Sequence, residues 1–423
     1  MRVAGTVRAP GDKSITHRAL LLAALGRGVS HVGGALTSLD ARSSARVLRQ
    51  LGTEISPLRE GDVVAIKGRR RFRRPHRTLD CGNSGTTARL LLGLLAGHRF
   101  RATLTGDASL RRRPMRRVTV PLTEMGARFE ERGGDGLPLT VRGGRLRPIR
   151  YAMPVSSAQV KSSLLLAGMV GEVPVDLLEP NGRSRDHTER MLRALGFAVG
   201  EREGWIEFRP GGRVEPFDIQ VPADPSSAAF LVAAAVLAEG GELRIAGVGV
   251  NPTRTGFLRV LERMGAPVAL QASDTSFGEP TADLIARPAT LRPTEVSANE
   301  IPGLIDEIPM LAVLASRAAG ETVFREVGEL RVKESDRLGL IAGNIRAVGG
   351  KAEVQGDDLH VEGVESPPTG RVRTAADHRI AMAFAVLGTL PGARVAIDDM
   401  ACAQVSFPRF PETLRRIGAG SSR

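Results

Sequence analysis

A chain of 423 residues, 42% hydrophobic and 25% charged, has room for about two to three domains and is too apolar for disorder. Aromatic residues make up only 4%, so the core must come from leucine, valine and alanine. The formal charge of +13 invites polyanions, but one Trp, one Tyr and no Lys/Arg tail favour a basic surface and small anionic substrates over single-stranded nucleic acid.

Only Cys81 and Cys402 occur, far apart and outside any CxxC or Cys/His ligand pattern, so neither a disulfide framework nor a zinc site is expected. A reducing cytoplasm fits. No stretch reaches about eighteen uninterrupted apolar residues, and "MRVAGTVRAPGDKS" has no apolar signal core, so neither a membrane span nor a signal peptide is expected.

In chain order, two series of elements alternate. The first consists of polar starts followed by apolar helices: "GDKSITHRALLLAAL", "GNSGTTARLLLGLLAG", "VSSAQVKSSLLLAGMV", "ADPSSAAFLVAAAVLA", "IDEIPMLAVLASRAAG" and "ADHRIAMAFAVLG". Being apolar nearly all round, these helices are expected to be buried. The second series ends helices on a glycine suited to a left-handed cap: "LRQLG" at Gly52, "LTEMG" at Gly126, "LRALG" at Gly196, "LERMG" at Gly265, "IRAVG" at Gly349 and "LRRIG" at Gly418. Most continue into alternating strands such as "VVAIKG", "LPLTVRGG", "WIEFRPGG" and "LHVEGV". The repeating unit reads strand, buried helix, strand, outer helix, strand pair, roughly seventy residues long and repeated six times. The fifth unit is expected to be longer, with extra sequence around "QASDTSFGEPTADLIARPATL".

Six such units favour an α/β fold of two compact domains with three repeats each. If the last unit lacks its final strands, the N-terminal "RVAGTVRAP" completes it. The expected domains are then 1–12 plus 223–423, and 13–222, with crossings near Ala9–Asp12 and Val221–Pro225.

The helix starts carry residues a core does not need. Capping accounts for Asp224 and Ser226, and Asn83 is read the same way. It does not account for Lys13, Arg18 or Arg379, because a cation at a helix N-terminus opposes the macrodipole unless an anion lies between them. Amides of Gly, Ser and Thr backed by Lys and Arg make a phosphate or carboxylate site, and similarly directed starts in both domains imply an anion-binding cleft. Arg111, Arg112, Arg116 and Arg117 read as solvated surface. Lys333 and Arg337 share a helical face with Glu334 beside it, a spacing that serves a salt bridge or a site equally. His187 and His378 each follow an Asp and read as paired or capping residues, without a third ligand for a metal.

Together, "PGDKSITHRALLLAAL", "GNSGTTARLL", "LTGDASLRRRP", "SSAQVKSSLLLAG", "SRDHTERML", "LIDEIPMLAV", "RVKESDR" and "DHRIAMAF" stand in the order and spacing of the enolpyruvyl transferase family, which the chain resembles over nearly its whole length. The resemblance implies an inside-out, barrel-like fold of three βαβαββ units per domain, with buried helices and outer strands. It implies transfer of the enolpyruvyl group of phosphoenolpyruvate to the 5-hydroxyl of shikimate 3-phosphate through a tetrahedral adduct that loses phosphate. No metal or organic cofactor is implied, no nucleic-acid or membrane partner, and a monomer is expected.

By position, the resemblance places Lys13 between the two substrates. Shikimate 3-phosphate falls to Ser14, Arg18, Ser156, Ser157, Gln159 and Arg185, with Lys13, Asp306 and Lys333. Phosphoenolpyruvate falls to Gly85, Arg113, Arg337 and Arg379, with Lys13, Gln159 and Lys333 near. Two highly charged anions brought together require several fixed cations. Asp306 is the candidate base, and Glu334 the group moving a proton on the methylene carbon, helped by Lys13 or His378. The sequences "SSAQ", "SRDHT" and "VSFP", the last with Val405, match the family's second branch. The transferase acting on UDP-N-acetylglucosamine is the nearest alternative, but it carries a reactive cysteine in the loop aligned with "TGDASLRRRP", which has none here. A nucleic-acid-binding or RNA-end-modifying protein on the same repeats is the second alternative, and it would not need Asp306 or Glu334.

Overall fold

A computed structural model of the chain describes residues 1–131, 134–180 and 182–419. Asn181, within the arginine-bearing stretch before the SRDHT motif, and the last four residues of the expected first domain lie outside the described residues. The chain divides into two compact units: Met1–Pro10 with Pro222–Thr275 and Pro280–Arg423, and Gly11–Val221 with Ser276–Glu279.

The unit spanning Gly11–Val221 holds three four-stranded sheets. In each, a short edge strand runs parallel to its neighbour, which pairs antiparallel with the second strand of the following hairpin. The edges are Asp218–Gln220 on Gly28–Gly33, Leu79–Asp80 on Arg101–Thr105, and Ile149–Ala152 on Val175–Leu178. Each parallel pairing requires a crossover connection, which in the second and third sheets is the buried helix. Those helices are Gly85–Ala96 and Ala158–Gly171, joined in the core by Lys13–Ala23. The Gly85 and Ala158 helices approach so closely that a Cβ on Gly93 would lie 2.0 Å from the Ser163 carbonyl oxygen. Glycine is required there.

The other unit repeats the plan with central helices Pro225–Val236, Ile308–Ala315 and His378–Leu387 around a second core. Its sheets place Gly5–Val7 parallel to Leu243–Gly249, Glu295–Val296 parallel to Glu321–Phe324, and Thr369–Val372 parallel to Arg394–Ile397. The last sheet stops at two strands, and the helix Phe410–Ala419 follows.

Three sequence expectations change. The N-terminal strand does not complete the sixth unit but pairs with Leu243–Gly249, while Asp218–Gln220 takes the equivalent edge on Gly28–Gly33. Edge pairing depends on distant partners and leaves no local trace. The supposed extra sequence of the fifth unit is the strand pair Ala269–Ser276 and Glu279–Ala286 of the fourth sheet. Gly52, Gly126, Gly196, Gly265 and Gly349 take positive φ as helix stops, whereas Gly418 lies inside its helix.

Candidate active site

In the Gly11–Val221 unit, each central helix begins with a polar turn. Asp12 caps the first by accepting from the Ile15 amide at 2.8 Å, and Ser84 caps the second by accepting from the Thr87 amide at 3.1 Å. Asn83 is therefore not the cap. Its amide donates to Asp107 at 2.6 Å and its carbonyl oxygen accepts from Arg113 at 2.8 Å, which holds that guanidinium at the helix start. A Cβ on Gly85 would meet an Arg113 nitrogen at 3.3 Å, so glycine keeps the space beside this cation open.

Arg18 lies one turn inside the first helix, buried, and is held by acceptors on three sides. It donates to Thr188 Oγ1 at 2.7 Å, to Ser162 Oγ at 2.6 Å and to the Ser14 carbonyl at 3.0 Å. Burial lowers its pKa to about 10, against the raising influence of Glu189 and Asp12, and Arg185 adds a like charge. The side chain stays cationic at neutral pH. Lys13 meets Asp40 at 3.3 Å. Ser157 heads the third helix without a side-chain cap bond, and the Ser156 hydroxyl donates to the Gly182 carbonyl at 3.1 Å. The structure thus gathers Lys13, Ser14 and Arg18 on one helix, and Ser156, Ser157 and Gln159 at the head of another.

Two buried cations of this unit, Arg89 and Lys161, went unremarked in the sequence. Arg89 hydrogen-bonds Gln159 and donates to the Pro114 carbonyl at 2.9 Å, while the Gln159 amide donates to Thr86 at 3.0 Å. Arg89 therefore ties the second and third helix starts to the arginine-rich loop. Lys161 is wholly buried between Glu179 at 2.9 Å and Glu189 at 2.8 Å, and it donates to the Ser184 carbonyl at 3.1 Å. A lone cation inside an otherwise apolar helix was the available signal in both cases.

His17 is buried in the same unit, with Nδ1 2.8 Å from Ser44 Oγ, and burial with Lys13 and Arg18 nearby pushes its pKa down to about 3. The folded protein binds fewer protons here than the unfolded chain, so this stabilisation is present above the ordinary histidine pKa and is lost as pH falls towards 3. Between pH 7.5 and 5 it should remove about 2 kcal/mol. Urea denaturation at the two pH values should show His17→Gln losing less stability than wild type by that amount; equal losses would refute it.

The other unit concentrates acids and cations at three helix starts, those of Ile308–Ala315, Arg337–Ala347 and His378–Leu387. Arg337 is completely buried and meets three carboxylates: Asp377 at 2.8 Å, Asp306 at 3.2 Å and Glu334 at 2.5 Å. These acids drive its pKa up in spite of burial. Burial would raise the Asp377 carboxyl, but Arg337 outweighs it and holds the pKa below the ordinary value. Arg379 donates to the Asp306 carbonyl at 3.0 Å, and its guanidinium lies 3.7 Å from that carboxylate. Loss of hydration, opposed by Asp306 and Glu329, leaves the pKa of half-buried Lys333 below the usual lysine value. His378 follows the capping Asp377, whose carboxylate accepts from the Arg379 amide at 3.0 Å. Asp306, Lys333, Glu334, Arg337, His378 and Arg379 therefore form one cluster.

Asp224 caps its helix through the Ser226 and Ser227 amides at 2.7 and 3.2 Å. Ser226 does more than sit in the first turn, since its hydroxyl donates to Glu307 and accepts from Arg254 at 2.7 Å. His187 pairs with Glu279 at 2.8 Å. Among the described residues no group of three or more His, Cys, Asp and Glu could hold a metal, and no helix is long and apolar enough to cross a membrane.

The family model of EPSP synthase (3-phosphoshikimate 1-carboxyvinyltransferase) matches residues 1–414. A 3-phosphoshikimate 1-carboxyvinyltransferase of Desulfitobacterium hafniense is 45% identical over 419 residues, covering 98% of this chain and 96% of that protein. The enzyme of the same name from Thermus thermophilus is 47% identical over 420 residues, covering 99% and 97%. The solved structure of EPSP synthase from Acinetobacter baumannii superposes with a TM-score of 0.87 at 38% identity, over 98% of this chain and 96% of that one. With the family model spanning both units and the repeat architecture shared with a solved relative, the chain belongs to the EPSP synthase (3-phosphoshikimate 1-carboxyvinyltransferase) family.

Proposed function

We propose that this protein transfers the enolpyruvyl group of phosphoenolpyruvate to the 5-hydroxyl of shikimate 3-phosphate. The observation that carries the reading is the joint presence of family membership and a cluster in which Asp306 and Glu334 share the buried Arg337. Such a cluster provides proton-moving carboxylates beside fixed positive charge, which addition of an alcohol to an anionic enol phosphate requires. The units Met1–Pro10 with Pro222–Thr275 and Pro280–Arg423, and Gly11–Val221 with Ser276–Glu279, are proposed as the two catalytic domains.

Shikimate 3-phosphate is assigned to Ser14, Arg18, Ser156, Ser157, Gln159 and Arg185, with Lys13, Asp306 and Lys333. Arg18 suits a phosphate because its guanidinium is already oriented by Thr188 and Ser162. Phosphoenolpyruvate is assigned to Gly85, Arg113, Arg337 and Arg379, with Lys13, Gln159 and Lys333. An arriving carboxylate or phosphate competes with Asp306 and Glu334 for Arg337, so donor binding would release the carboxylates that move protons. Asp306 then takes the proton of the 5-hydroxyl as its oxygen bonds to the donor's substituted carbon. Glu334, helped by Lys13 or His378, delivers a proton to the methylene carbon. The adduct expels phosphate as the new methyl group gives a proton back.

Action as a monomer is part of the proposal, as is a reducing cytoplasm, which two buried free thiols suit. Surface arginines paired with acids, such as Arg325 with Asp358 at 2.8 Å and Arg263 with Glu300 at 2.9 Å, favour small anions over a polyanion partner. The full chain given shikimate 3-phosphate and phosphoenolpyruvate should release one phosphate per product without added metal. No release at any pH between 5 and 9 overturns the reading, and release only with UDP-N-acetylglucosamine establishes the alternative acceptor.

A further inference from the structure

A cavity of about 220 Å³ lies within the Gly11–Val221 unit, at the ends of the central helices opposite those that carry the proposed substrate residues. Leu25 lines it just beyond the end of the Lys13 helix, Gly97 and His98 beyond the end of the Gly85 helix, and Met169 and Val170 in the last turn of the Ala158 helix. Phe197 and Val214 complete an apolar floor. The backbone passes so near Phe197 at Gly212 that a Cβ there would fall 2.8 Å from the ring. The ring thereby packs directly against this backbone.

The rim carries four cations, Arg27, Arg70, Arg71 and Arg213, against two acids, Glu172 and Glu215, and so is net positive. Arg27, Arg71 and Arg213 are exposed, and none has a hydrogen bond or ion pair among the described residues. Arg70 lies 3.8 Å from Glu172, which leaves three uncommitted guanidinium groups. Cations at helix C-termini offset the macrodipole, which accounts for part of this charge. It does not account for Arg213, which follows a strand, nor for the apolar floor of Leu25, Phe197 and Val214 beneath the charge. His98 adds no acid or base, because Nδ1 lies 2.8 Å from the Leu94 carbonyl and Nε2 accepts from the Phe72 amide at 2.9 Å.

We propose that this cavity binds a small aromatic carboxylate, its ring on the Phe197 and Val214 floor and its carboxylate at the Arg71 and Arg213 rim. Planar guanidinium groups match carboxylates in pairs of hydrogen bonds, and a flat hydrophobic body fills the space beneath. A cavity of about 150 Å³ accommodates benzene, so this one suits an acid of about ten to thirteen non-hydrogen atoms. The site is separate from the residues assigned to shikimate 3-phosphate and phosphoenolpyruvate, and its occupancy does not depend on what reaction they perform.

The test is equilibrium dialysis of the full chain against 2-naphthoate, with saturating shikimate 3-phosphate and inorganic phosphate present to occupy other anion sites. One equivalent should bind with Kd between about 0.1 and 1 mM. The uncharged 2-naphthamide should bind at least tenfold more weakly. The double variant Arg71→Ser with Arg213→Ser should weaken naphthoate by tenfold or more, and Val214→Trp should abolish binding by filling the floor. The double variant changes only exposed side chains, so it decides the matter even if the tryptophan variant fails to fold. Absence of saturable binding overturns the proposal, as does equal binding of acid and amide or binding indifferent to the arginine changes.

Discussion

Asp306→Ala should lower kcat by roughly 10²–10⁴-fold while changing the KM of either substrate far less. The carboxylate stands just ahead of the Ile308–Ala315 helix, 3.2 Å from Arg337 and 3.7 Å from Arg379. Removing it leaves the buried Arg337 still paired with Asp377 and Glu334, so the fold should persist. A role confined to binding would instead raise KM with kcat preserved. Steady-state phosphate release over a range of both substrates separates the two, and an unchanged kcat removes Asp306 from the proposed proton transfer.

Lys161→Met should destabilise the Gly11–Val221 unit by about 3–5 kcal/mol, because it strands Glu179 and Glu189 as buried charges. The triple change Lys161→Met, Glu179→Gln, Glu189→Gln should recover much of the loss, since the cost lies in uncompensated charge more than in a missing attraction. The cluster also orders the chain before the His187–Ala194 helix: Glu179 accepts from the Ser184 amide at 3.3 Å and from its hydroxyl. Arg185 follows directly, so the single variant should also raise KM for shikimate 3-phosphate. Urea denaturation and steady-state kinetics measure the two effects. A loss below about 1 kcal/mol would show that the two acids find other partners or take up protons at little cost.

Much of the architecture was legible because it rests on local rules. Apolar faces all round marked the six central helices as buried, and leucine-rich turns ending in glycine marked five helix stops with positive φ. Gly418 failed because the same five-residue pattern fits a helix that continues past it. The edge strands failed for another reason: Gly5–Val7 and Asp218–Gln220 differ in their partners, not in their own character. At the candidate site, cations that violated dipole logic were found readily. Arg89 and Lys161 were passed over because their partners, Gln159, Glu179 and Glu189, come from different stretches of chain. Arg254 was hidden in the same way, behind a serine that also fits an ordinary first turn.

The pairing of Gly5–Val7 with Leu243–Gly249 also sets a timetable for synthesis. The Gly5–Val7 strand leaves the ribosome well ahead of its partner, which emerges some tens of seconds later at ordinary elongation rates. The Gly11–Val221 segment, whose Asp218–Gln220 strand closes its first sheet, can collapse in the interval, lacking only Ser276–Glu279. Throughout that time the Gly5–Val7 segment is a waiting edge with no ladder to join. Translation speed between Gly11 and Leu243 should therefore govern how much of the chain is exposed to chaperones and to wrong pairings.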